Sequence, residues 1–168
     1  MCSSDLSSGF ELNNYTTTGT GNSDSDSSVG ITNGVFFDED LRVDITHNSS
    51  PTNGTFTQIL QSIAKIPIIY QTGSGGSWVA DTATDFPVKY VSTERARYNQ
   101  FSAGSWSTVQ ADSGKYVVTW VIATSNIYAP ILGVLGQSQY ASLGEAEAVL
   151  FSDLALSNLP VTEFRPIW

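Results

Sequence analysis

The sequence predicts a mainly β fold, an antiparallel β sandwich or mixed sheet with one helix near the C-terminus. Three observations carry that expectation. Charged residues are only 14% of the chain, and Ser, Thr, Asn, Gln and Gly take their place. Helical proteins usually cover their wet faces with Glu, Lys and Arg, whereas Thr- and Ser-rich surfaces suit strands and turns. Alternation of period two recurs, as in Leu41-Arg42-Val43-Asp44-Ile45, where the apolar residues share one face. A single strong helix start, Ser142-Leu143-Gly144-Glu145, comes late; its Ser and Glu satisfy the orphan N–H groups of a first turn.

Length fits one domain, since a folded chain of 168 residues hides roughly two-thirds of its unfolded surface. Residues 1–6 read as a sequence scar, because Cys2-Ser3-Ser4-Asp5-Leu6 is what one frame of a common sequencing-adapter end encodes; an ordinary N-terminus is the alternative. Residues 7–30 read as a polar, flexible lead-in with too little apolar surface to offset its chain entropy. Phe10, Leu12 and Tyr15 could form a short strand within it. The β-rich domain is expected over 31–168, with a C-terminus that reads as cut short.

Within that domain, Val35-Phe36-Phe37 and the strand at 41–45 flank Asp38-Glu39-Asp40 as a hairpin. A polar turn with Asn53-Gly54 follows, and 56–64 fits either helix or strand. Ile66-Pro67-Ile68-Ile69-Tyr70 reads as a strand that its proline keeps near an edge. Gly-rich 72–77 loops into Trp78-Val79, and a strand is expected at 86–91. Residues 97–101 and 106–110 pair across Ser102-Ala103-Gly104-Ser105. The strongest element is 115–124: Tyr116, Val118, Trp120 and Ile122 line one face and Val117, Thr119, Val121 and Ala123 the other, as in a central strand covered on both sides. Residues 130–135 are its expected neighbour. The helix should then present Leu143, Ala146, Leu150 and Leu154 to the sheet, stop at Asn158-Leu159-Pro160, and lead into a final strand near Phe164.

Composition also bears on function. Seven Lys and Arg stand against 16 Asp and Glu, a net charge of −9 that repels nucleic-acid phosphates and anionic membrane surfaces. The one long, mostly apolar run, 116–123, is far too short to span a bilayer. His47 is the sole histidine, set in a turn without a Gly-x-Ser-x-Gly elbow, so a nucleophilic triad is not expected. One Cys and one His cannot fill a zinc site. Asn22-x-Asp24-x-Asp26-x-Ser28 and Asp38-Glu39-Asp40 carry calcium-type oxygens, but solvated acidic turns are the commoner explanation of both. Gly73-Ser74-Gly75-Gly76 lacks the Lys and helix of a phosphate loop. Trp78, Tyr98 and Trp106 lie beside loops, where rings either stack on sugars or simply pack in the core. The expectation is a soluble structural or binding domain with no enzymatic site, no cofactor and no metal, and with its ligand unassigned.

The C-terminal half adds a resemblance. Tyr116-Val117-Val118-Thr119-Trp120-Val121-Ile122-Ala123-Thr124-Ser125-Asn126, Tyr128-Ala129-Pro130-Ile131, and Val134-Leu135-Gly136-Gln137 come first. Tyr140-Ala141-Ser142-Leu143-Gly144-Glu145-Ala146-Glu147-Ala148 and Leu159-Pro160-x-x-Glu163-Phe164-Arg165-Pro166 complete the ordered series. It resembles a module of tailed-bacteriophage structural proteins, especially tail-fibre, head-fibre or other appendage proteins. The likeness covers about 29–168 and is firm from about 95 onward. It implies a homo-oligomeric structural protein, with a trimer as one form, located in the virion, that contacts other virion proteins and attaches to host surface glycans. A bacterial carbohydrate-binding or surface-adhesion domain and a fragment of a fibre-borne depolymerase are the competing readings.

Overall fold

The structure, a computed structural model, describes residues 7–16, 28–38, 41–61, 63–81, 89, 95–161 and 163–168. It is mainly β, with several sheets and one short helix near the C-terminus. The first strands are β1 (Ser7–Gly9), β2 (Leu12–Thr16), β3 (Ser28–Ile31), β4 (Gly34–Asp38), β5 (Leu41–His47) and β6 (Thr57–Gln58). Next come β7 (Ile68–Thr72), β8 (Ser77–Ala80), β9 (Arg97–Ser102), β10 (Ser105–Gln110), β11 (Tyr116–Thr124) and β12 (Ile131–Tyr140). The helix α1 (Leu143–Glu147), a 3₁₀ turn at Phe151–Asp153 and β13 (Phe164–Pro166) close the chain.

A five-stranded sheet in the order β13-β11-β12-β7-β8 is the centre of the fold. It is mixed, because β12 and β7 run parallel while its other pairs are antiparallel. Alternation along its strands builds two apolar layers. Ile68, Val121, Ala123, Ile131 and Leu135 point to one side and meet Phe36, Val43 and Ile45 of the four-stranded sheet β1-β4-β5-β6. Ile69, Ile122, Leu132 and Val134 point to the other and are covered by Phe151, Leu154, Leu159 and Phe164. Each buried Ile, Leu or Phe contributes about 1.5–3 kcal/mol, so this two-sided burial dominates stability.

The local expectations for hairpins hold. β4 and β5 pair from Gly34↔Ile45 to Asp38↔Leu41, with Val43 and Ile45 buried between exposed neighbours. β9 and β10 pair in register across a two-residue turn, Ala103-Gly104, both at positive φ, which matches the twist of paired strands. β7 and β8 join through Gly73 and Gly76, also at positive φ.

Three readings of the sequence are corrected. The fold begins before Ile31: β1 pairs with β4, β2 with β3, and Phe10 and Val29 are buried. Gly9 and Phe10 both take positive φ, a corner that moves the chain from one sheet to the other. The Phe10 ring then lies against Gly34, within 2.5 Å of where a Cβ would stand. The strand after Pro67 does lie near an edge, since β7 sits between β12 and the edge strand β8; the proline precedes the strand and its carbonyl accepts from the Gly133 N–H. Residues 56–64 are neither helix nor long strand, but irregular chain that inserts Leu60 and Ala64 into the core. The helix is shorter than expected. Ser142 does cap it, accepting from Glu145 N–H at 3.2 Å, and Glu145 returns a bond to Ala141 N–H. Yet only Ala146 is buried on it, while Leu143 and Leu150 are exposed. Two expectations fall outside the described residues: the strand at 86–91 and most of the acidic run at 22–28.

Candidate functional site

The residues singled out by sequence do not gather into one site. His47 Nδ1 accepts the backbone N–H groups of Leu60 and Gln61, both at 3.1 Å, so the ring fastens irregular chain to the end of β5. Trp78 packs on the outer apolar layer and donates its indole N–H to Ser157 O at 3.0 Å. Tyr98 is buried, and burial followed by the nearby Asp112 charge raises its pKa. Trp106 leans on Phe101, rings 5.3 Å apart, as a cross-strand pair of the β9–β10 hairpin. Of Asp38-Glu39-Asp40, the last two residues lie outside the described part, and among the described residues no group of three metal-type ligands forms.

Two surfaces do have built geometry. The first is the open half of β11. From Val121 onward this strand is paired on both edges: Val121 N–H donates to Trp168 O at 2.6 Å and Val121 O accepts from Ile167 N–H at 2.8 Å. Backbone groups alternate in direction along a strand. Val117 and Thr119 therefore point their N–H and C=O the same way as Val121, past the end of the β13 segment. Among the described residues nothing pairs with them there. A groove of about 500 Å³ lies beside this half of the strand, walled by Trp120, Leu143, Ala146, Val149 and Trp168, with Glu147 as its charged group. The segment Tyr116-Val117-Val118-Thr119-Trp120 carries no charge. Exposed Tyr116, Leu143 and Trp168 surround it.

The second is a cleft of about 360 Å³ where three loops meet. Pro51, Ile59, Pro67 and Tyr128 of the β11–β12 turn are its apolar lining, with Thr57, Lys65 and Asp81 as its polar groups. Buried Gln58 holds these walls together. Its amide donates to Lys65 O at 2.8 Å and Ile131 O at 3.0 Å, and accepts from Ile131 N–H at 2.9 Å. The Asn126 side chain fixes the rim turn by accepting from Tyr128 N–H at 2.9 Å and Ala129 N–H at 3.3 Å. Asp81 is held by its N–H to Ile68 O, by Tyr70 Oη at 2.9 Å, and by an ion pair with Lys89. Burial, then the bond to Asp81, raises the Tyr70 pKa. Tyr128 itself stays 65% exposed on this hydrogen-bonded turn.

Sequence reasoning missed both surfaces as sites. Tyr128 carried the same signal that singled out Trp78 and Trp106, an aromatic ring next to a turn. The open edge left no sequence signal, since pairing is decided by residues far along the chain. Comparison with protein-family models, with curated proteins and with solved structures finds no match.

Proposed function

We propose that this chain is a structural module of a tailed-phage virion, acting in fibre assembly or host-surface binding without catalysis, and that it assembles with copies of itself through the apolar surface around the outer half of β11. Exposed Tyr116 and Leu143, beside a groove lined by Val117, Trp120, Ala146 and Val149, support this reading. Contiguous exposed apolar surface of this kind marks association sites. A neighbouring copy offers the same surface, which suits a symmetric assembly, and the acidic net charge keeps assembled copies from clumping nonspecifically.

Light scattering on the purified chain tests the reading, with an oligomer as the expected result. Leu143→Asp places a charge on that surface and should shift the chain to monomer. Because Leu143 is exposed, stability should change by less than about 0.5 kcal/mol. A stable monomer across concentrations would sink the assembly claim.

A further inference from the structure

We infer that the cleft beneath Tyr128 is a binding site for one or two units of a neutral saccharide. This deepens the surface-binding half of the function proposed above and rests on it. At about 360 Å³ the cleft is at the small end of the ligand-pocket range of about 300–1,000 Å³, which suits a sugar rather than a long chain. Its chemistry is divided as a pyranose is divided. Pro51, Ile59 and the Tyr128 ring offer an apolar wall for the C–H face of a sugar. Asp81 and Thr57 offer oxygens to its hydroxyls. Each Asp81 carboxylate oxygen already accepts one bond, from Tyr70 or Lys89, and retains lone pairs for a second donor.

Two further observations narrow the ligand. Lys89 pairs with Asp81 and Lys65 also lines the cleft, while the chain as a whole carries −9, so the long-range field disfavours an acidic polysaccharide and leaves a neutral one unaffected. The site is also pre-organised. The Gln58 and Asn126 amides fix the backbone on two sides, so little freedom is lost when a ligand enters. An exposed aromatic ring on a turn this tightly held needs no rearrangement to stack.

The test is an NMR titration of the full chain with glucose, galactose, mannose and N-acetylglucosamine. At least one should perturb the signals of Tyr128, Thr57 and Asp81 with a dissociation constant on the order of 1 mM. Tyr128→Ala should weaken binding about tenfold, a loss of roughly 1.4 kcal/mol. Asp81→Asn should weaken it less, and Phe101→Ala not at all. Tyr128→Ala is a surface change that leaves the Asn126 bonds in place, so thermal midpoint and light-scattering mass should match the parent; failure of sugar binding and failure of assembly thus read out separately. The proposal is overturned if none of the four sugars perturbs the cleft, or if perturbation centres on Phe101 and Trp106, or if Tyr128→Ala binds as well as the parent.

Discussion

The two halves of β11 have the same apolar alternation and opposite fates. Ile122 and Ala123 are fully buried and paired with both β12 and β13, and buried Thr124 pairs with β13 and donates its N–H to Pro130 O. Tyr116 is 43% exposed, and Val117 to Trp120 are half-buried with one edge open. Burial on both faces comes from layers that other parts of the chain supply: Phe10, Phe36 and Ile45 on one side, Phe151 and Phe164 on the other. These layers end near Trp120. An apolar strand pattern therefore states how much a strand can bury, and the rest of the fold decides how much it does.

That contrast can be broken at several points. The largest effect belongs to Ile122→Asp, which places an unpaired charge in a dry layer. It should cost more than about 4 kcal/mol and abolish cooperative folding, read by thermal melting. Tyr116→Asp, six residues away on the same face, should cost under about 0.5 kcal/mol. If the two cost the same, the halves are not different environments. Gly136→Ala has an intermediate effect. Its Cβ would stand 2.3 Å from Val118 O, a backbone atom on the paired side of β11, so the strands must part at the bulge. A loss of about 1–3 kcal/mol in chemical denaturation is expected.

The sequence showed those elements whose cause is local. The β4–β5 and β9–β10 hairpins and the Ser142 cap depend on residues within a few positions of one another, and they appear where expected. Elements with a distant cause were misread. The polar N-terminal segment concealed Phe10, whose burial depends on the space left at Gly34. The helical spacing of Leu143, Ala146, Leu150 and Leu154 suggested one long helix. It ends because the Asp153 carboxylate accepts from Leu150 N–H at 3.0 Å and starts a new 3₁₀ turn, a side chain competing with the helix ladder. Buried amides were equally silent. Asn99 accepts from Gln71 N–H and donates to Gln71 O, and Gln58 does the same at Ile131, so each side chain takes the place of a strand neighbour. Nothing in a Gln or Asn of a polar-rich sequence marks it for that role.

Residue-resolved amide hydrogen exchange along β11, measured at two protein concentrations, tests the contrast between its halves most directly. In dilute solution Ile122 and Ala123 should exchange slowly and residues 116–119 more quickly. At high concentration residues 116–119 should become protected while Ile122 does not change. Equal protection of the two halves in dilute monomer, or an outer half that exchanges equally fast at every concentration, would contradict assembly through this surface.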